Sequence, residues 1–255
     1  MRVDFGRTAS DYARHRAGFP PRFFQRLLRE GWAAPGQRAL DLGTGTGTLA
    51  LGLARAGLRV VGLDPAPALL GAARAEARAE GLATGWVQGR AEAPCFAPAS
   101  FELITAGQCW HWFDRPRAAR EAGSLLVPGG RLVIAHYDWL LLPGNLLEAT
   151  EALIRAHNPA WTGADGSGFY PRWAADLSLA GFEELESWSF DAPARYTHEA
   201  WRGRIRASAG VAASLSAERV AAFDHELAAL LRARFPADPL SVPHRVFAIS
   251  GRRPA

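Results

Sequence analysis

A chain of 255 residues, 49% of them apolar and 21% charged, is long enough to bury a sizeable core and fits one large α/β domain carrying an insertion. Its formal charge of +4 rests on arginine alone, since no lysine occurs, and the arginines are scattered rather than gathered in runs, which argues against a nucleic-acid surface. Cys95 and Cys109 are isolated, which excludes a Cys-x-x-Cys pair and a disulfide framework, no apolar run reaches the ~18 residues of a membrane span, and the first residues lack a signal-peptide core. A cytoplasmic protein, monomer or homodimer, with neither nucleic acid nor membrane as partner, is the expectation.

In chain order, the residues before Pro20 are polar, and Pro20-Pro21 opens a helix whose Phe23, Phe24, Leu27 and Leu28 share one face before Gly31 ends it. Arg38 to Leu42 reads as a buried strand. Gly43-Thr44-Gly45-Thr46-Gly47 follows as a turn, and a helix starts at Thr48. Such glycines supply the positive φ or close packing that a ligand pressing on the main chain requires, and the helix presents free N–H groups there. Asp41 puts a carboxylate just before the turn. The second strand, Leu58 to Leu63, ends in Asp64, placed to accept both hydroxyls of a ribose. That geometry serves nicotinamide dinucleotides and S-adenosylmethionine equally, and Gly45-x-Gly47-x-x-Ala50 even meets the dinucleotide fingerprint.

A helix from Pro67 to Glu80 and strands at Thr84–Gly89, Phe101–Ala106 and Arg131–His136 continue the alternation, which predicts a doubly wound, mostly parallel sheet. Ligands in such sheets bind beyond the carboxyl ends of the strands. Gly43, Asp64, Arg90 to Glu92 and Gly107 to His111 all follow strand ends, so one pocket can gather them.

After Trp139 the pattern loosens. Helices at Leu146–His157 and Arg172–Ala180 flank a glycine-rich loop, Thr162 to Gly168, whose composition suggests mobility. Glu184–Phe190 and His244–Ser250 are expected as sixth and seventh strands. Between them lie a helix from Thr197 with Trp201 and Ile205, and another capped by Ser216 with Val220, Phe223, Leu227, Leu230 and Leu231 on one stripe. The expected organisation is a single domain: residues 1–37 covering a cofactor, 38–138 binding it, and 139–184 with 191–243 forming a helical cap inserted after strands five and six of a seven-stranded, Rossmann-like sheet.

The phrase Asp41-Leu-Gly-Thr-Gly-Thr-Gly47 resembles the first motif of class I S-adenosylmethionine-dependent methyltransferases. Val61-Gly-Leu-Asp-Pro65 is similar to the family's second motif, Gly89-Arg-Ala-Glu-Ala-Pro94 to its adenine-side loop, and Leu126-Val-Pro-Gly-Gly-Arg-Leu-Val-Ile134 to its fifth-strand entry. Tyr12 to Pro20 and Gln108-Cys-Trp-His-Trp-Phe-Asp114 resemble segments of the bacterial type 11 small-molecule subgroup. Two departures are Arg90, where an aspartate is common, and Ala17, where a proline is usual.

The resemblance implies S-adenosylmethionine as cofactor, with Tyr12 and Arg16 near its carboxylate. Further contacts are implied for Asp41, Gly43, Thr44, Gly45, Gly47, Asp64, Pro65, Arg90, Ala91, Glu92, Gly107 and Gln108. It implies methyl transfer, by in-line displacement, to an oxygen, nitrogen or carbon nucleophile of a small molecule. Trp110, His111, Trp112, Trp139, Phe169 and Tyr170 are the candidate substrate contacts, because aromatic faces bind flat or cationic ligands. His111 is expected to orient the acceptor or act as its base. Two other readings stand beside this one: a non-catalytic cofactor-sensing protein on the same scaffold, and a nicotinamide-dependent oxidoreductase.

Overall fold

Five parallel strands run inward from one edge of a seven-stranded sheet: β1 (Arg38–Leu42), β2 (Arg59–Asp64), β3 (Thr84–Gln88), which is that edge, β4 (Phe101–Gly107) and β5 (Leu126–Trp139). With β6 (Glu183–Asp191) and β9 (His244–Arg252) the order is β3-β2-β1-β4-β5-β9-β6. Strand order reverses between β1 and β4, where the carboxyl ends leave a crevice. The computed structural model describes residues 17–161, 167–208, 210–212 and 214–255. Tyr12, Arg16 and most of the glycine-rich loop at 162–168 therefore lie outside the described residues.

The connections follow from local sequence. Helix α2 (Thr48–Arg55) starts on Gly47. Helix α3 (Pro67–Ala79) uses a proline in its first turn, where the missing N–H costs nothing. Helix α4 (Arg115–Leu125) is capped by Asp114, whose carboxylate accepts from Arg117 N. Alternation along the strands sends Leu40, Leu42, Ile104, Leu132 and Ile134 into one core with Ala118, Ala119, Ala122 and Leu125 of α4. Helix α1 (Pro21–Arg29) buries Phe23 and Leu27. Regular β4–β5 pairing begins at Leu103 with Arg131, the residue at which the sequence places the start of the fifth strand. The strand itself extends back to Leu126, because Phe101 pairs with Leu126 and the residues between form a bulge.

The chain divides into two units. The sheet unit holds Gly18–Tyr137, Phe169–Phe190 and Val246–Ala255; the second holds the described parts of Asp138–Gly168 and Asp191–Arg245. Helix α6 (Arg172–Leu179), expected in the cap, groups with the sheet because Trp173 and Leu177 are buried in the core beneath it. The second unit contains α5 (Leu146–His157), the short antiparallel pair β7 (Ala194–Tyr196) and β8 (Leu240–Val242), α7 (His198–Arg206) and α8 (Ala217–Arg234). Asn145 caps α5 by accepting from Leu147 N and Glu148 N, both at 3.0 Å, and Thr197 and Ser216 cap α7 and α8. Arg202 and Arg206 of α7 both pair with Asp224 of α8. No described helix is long and apolar enough to cross a membrane.

Candidate functional site

The turn after β1 is a cradle built from left-handed glycines, with φ of 60° at Gly43, 56° at Gly45 and 81° at Gly47. A side chain at Gly43 would lie 2.9 Å from the Cys109 sulfur and 3.0 Å from the Phe113 ring, so glycine is needed to let the loop after β4 approach. At Gly45 a Cβ would point into open space, the side from which a ligand can reach bare backbone. Behind the turn, the Cys109 thiol donates to the Leu42 carbonyl across 3.1 Å.

Asp64 fixes this cradle. Gly45 N donates to Asp64 Oδ2 at 2.9 Å, and Ala66 N donates to Oδ1 at 2.9 Å, so one carboxylate ties the turn to the start of α3. Each oxygen keeps a second lone pair, which leaves Asp64 able to accept from a ribose. Its burial raises its pKa and the two N–H groups oppose that. Asp41 is placed differently from the expectation that it faces the ligand. It is 1% exposed, lies opposite Thr105 in the β1–β4 register, and accepts from the Thr105 hydroxyl at 2.7 Å. It therefore shapes the turn from beneath. Burial pushes its pKa up to about 6, against the hydroxyls of Thr44 and Thr105, while the Asp64 charge adds to the rise.

The loop after β3 is held by Glu92, whose Oε1 accepts from Asp114 N at 3.1 Å while Oε2 lies 3.4 Å from Arg90 Nε. Ala91 is buried, and the Arg90 side chain stands out in solvent. Pro65 continues from Asp64, and Gln88 Nε2 donates to its carbonyl.

After β4 the chain turns sharply. Gln108 adopts φ of 61°, unusual for a non-glycine, and its N–H donates to Ala135 O at 2.8 Å; residues held in this region concentrate at binding sites. Gly107 has Leu49 2.7 Å from where its Cβ would sit. The 3₁₀ turn Trp110–Trp112 then sorts its residues. Trp110 corrects the expectation: it is fully buried and its indole N–H donates to Asp176 Oδ2 at 3.0 Å, so it anchors the core and is no substrate wall. His111 and Trp112 face outward, Trp112 with 52% exposure, their rings 4.7 Å apart.

Phe169 is also exposed, and Tyr170 stacks on Trp173 with centroids 4.1 Å apart and planes 8° apart. Trp139 belongs to the second unit, packed against Trp201 and beneath the Arg204 guanidinium. One residue escaped the sequence reading. His136, at the carboxyl end of β5, has its Nδ1 3.0 Å from the Tyr170 hydroxyl and its ring 5.4 Å from that of His111. Strand parity was the available signal, since Leu132, Ile134 and His136 share one face.

Residues 40–134 match the family model described as a methyltransferase domain. An uncharacterized methyltransferase of Mycobacterium tuberculosis is 39% identical over 132 residues, which are 52% of this chain and 51% of that protein. The chain thus spans about half the length of that relative. The 2-phytyl-1,4-naphtoquinone methyltransferase of Thermosynechococcus vestitus is 46% identical over 168 residues, 59% of this chain and 74% of that one. Among solved structures, the YcgJ protein of Bacillus subtilis shares the fold at a TM-score of 0.58 and 21% identity, covering 92% of this chain and 99% of its own. With the cradle, its acidic partner and these matches in hand, the chain belongs to the class I S-adenosylmethionine-dependent methyltransferases, in the type 11 group.

Proposed function

We propose that this protein binds S-adenosylmethionine in the cradle and transfers its methyl group to a small-molecule acceptor. The observation that carries the reading is the Gly45–Asp64 bond: a turn with open backbone on one side, locked by a carboxylate that retains acceptor capacity. When bound, the cofactor supplies a methyl group already activated on a sulfonium. The backbone from Gly43 to Gly47, with Thr44, lies against its amino-acid portion. Asp64 accepts from the ribose, Pro65 and the Ala91 backbone border the adenine with Arg90 and Glu92 at the rim, and Gly107 and Gln108 lead to the reacting end.

Tyr12 and Arg16 remain assigned to the cofactor's carboxylate. Asp41 acts through the turn. His111 and Trp112 hold the acceptor in line about 3 Å from the methyl carbon, and such positioning alone is worth ~7 to 11 kcal/mol of the barrier. Phe169 and Tyr170 extend that aromatic surface. Trp139 remains assigned to the acceptor. The naphtoquinone methyltransferase relative supports a flat ring as acceptor. A cytoplasmic enzyme, monomer or homodimer, acting on metabolites rather than nucleic acid, completes the reading.

Calorimetry with S-adenosylmethionine, S-adenosylhomocysteine and NAD tests it. Both sulfur ligands are expected to bind and NAD is not, and Asp64→Ala should weaken binding by ~1.5 to 3 kcal/mol for each charge-assisted hydrogen bond lost. Tight NAD binding with no response to S-adenosylhomocysteine overturns the proposal. Release of S-adenosylhomocysteine across a metabolite library then identifies the acceptor.

A further inference from the structure

Side chains near the carboxyl ends of β4 and β5 form a series of ring contacts running from His111 through His136 to Tyr170. His111 is exposed, His136 is 7% exposed, and Tyr170 is half-buried, stacked on Trp173, which is 3% exposed. The His111 and His136 rings meet edge to face at 5.4 Å, and the His136 and Tyr170 rings lie 4.7 Å apart with the hydroxyl 3.0 Å from Nδ1. The Trp173 ring also packs 5.6 Å from His136, so the inner imidazole is held on two sides.

We propose that His136 and Tyr170 are positioning residues for His111, and that the acceptor is a neutral hydroxyl on a flat aromatic ring, a phenol or hydroquinone, rather than a carboxylate. This rests on the function proposed above and names the substrate class of the same site. In the arrangement inferred, Tyr170 donates to His136 Nδ1 and fixes the proton of that ring on Nε2. The fixed ring then holds the His111 imidazole in one orientation, with the exposed Trp112 ring beside it as a stacking face for the acceptor.

The chemistry follows from acidity. A phenolic hydroxyl, with a pKa near ~10, is protonated at neutral pH and gains from a neighbouring imidazole, whereas a carboxylate has no proton to give. The acceptor proton passes to a His111 ring nitrogen. The oxygen's electron pair forms the bond to the methyl carbon while the sulfur–carbon pair stays on sulfur, so the products are the methyl ether, S-adenosylhomocysteine and a protonated His111.

The test uses the full chain loaded with S-adenosylhomocysteine, titrated with 2-naphthol and with 2-naphthoate. Binding is read by tryptophan fluorescence and by ¹⁵N signals of the histidine rings. Naphthol is expected to bind about fivefold tighter than naphthoate and to shift the His111 and His136 signals, and Tyr170→Phe to weaken it about fivefold, the loss of one hydrogen bond, with S-adenosylhomocysteine affinity held within about twofold. The same variant should turn His136 from one tautomer to a mixture, which a merely space-filling tyrosine would not do. His136→Gln gives a second route if Tyr170→Phe folds poorly. Preference for naphthoate, an unmoved His136 signal, or binding of neither naphthyl compound to protein that holds S-adenosylhomocysteine overturns this inference. Failure to bind S-adenosylhomocysteine at all overturns the function proposed above instead.

Discussion

Asp41 in the sheet unit and His244 in the second unit are both nearly sealed from water, at 1% and 4% exposure, and burial moves them in opposite directions. Desolvation penalises whichever form is charged. It pushes Asp41 up to about 6 and His244 down to about 4. His244 donates from Nδ1 to the Val242 carbonyl at 2.9 Å and its ring stacks on Tyr196, with the Arg204 charge lowering its pKa further and Asp138 opposing.

The two therefore load the fold with opposite pH dependences. Asp41, raised above its ordinary value, contributes stability that is present below pH 3.8 and is lost as pH rises through about 6. His244, lowered, contributes stability present above pH 6.5 and lost as pH falls through about 4. Each shift corresponds to about 3 kcal/mol. A level stability profile between pH 4 and 6.5 is then the sum of two slopes of opposite sign.

The largest expected effect separates the units by packing rather than charge. Trp201 of α7 is fully buried, with its indole N–H 3.4 Å from the Thr150 hydroxyl and its ring against Trp139 and Tyr196. Trp201→Ala should cost ~3 to 5 kcal/mol. Hydrogen exchange should show the loss first in amides of α7 and α8, with β1 and β4 still protected; simultaneous loss in all four elements would end the treatment of the units as separable.

Asp41→Asn comes next. The amide oxygen can still accept from Thr105, no charge is buried, and the variant should gain up to about 3 kcal/mol at pH 7.5 and lose the slope between pH 4 and 6. Denaturant midpoints against pH measure this, and a variant less stable than wild type at pH 7.5 contradicts it. His244→Gln should flatten the acid side by a smaller amount, about 2 kcal/mol at pH 4.5, because the contact with Tyr196 is lost as well. Unchanged acid sensitivity would mean that another group carries it. Trp112→Ala should change stability by less than ~0.5 kcal/mol, since the ring is half exposed, while weakening naphthol binding. A larger stability loss would assign Trp112 to the fold instead of the site.

The sequence made the cradle, Asp64, the strand alternation and the capped helices at Thr197 and Ser216 legible, because turn chemistry, strand-end carboxylates and helix caps are local signals. What it hid depends on neighbours distant in the chain. Asp41 looked like a ligand contact until the β1–β4 register placed it opposite Thr105. Trp110 and Trp112 look equivalent in sequence, and only the 3₁₀ turn sends one to Asp176 and the other to solvent. His136 drew no attention because its meaning depends on Tyr170, 34 residues away. The pair β7 and β8 passed unnoticed because three-residue strands carry too little alternation to register.

The bond from Gly45 to Asp64 has a further consequence for binding kinetics. A recognition loop that floated would have to be ordered at each encounter, and every arrival of ligand would bear that entropic cost. Here the loop is already spanned by one carboxylate holding two amides, so the ordering happens once, during folding. Asparagine at position 64 has a single acceptor oxygen and would present an NH₂ to one of those amides. Asp64→Asn should therefore slow association by freeing the loop before ligand arrives, in addition to hastening release through the missing charge.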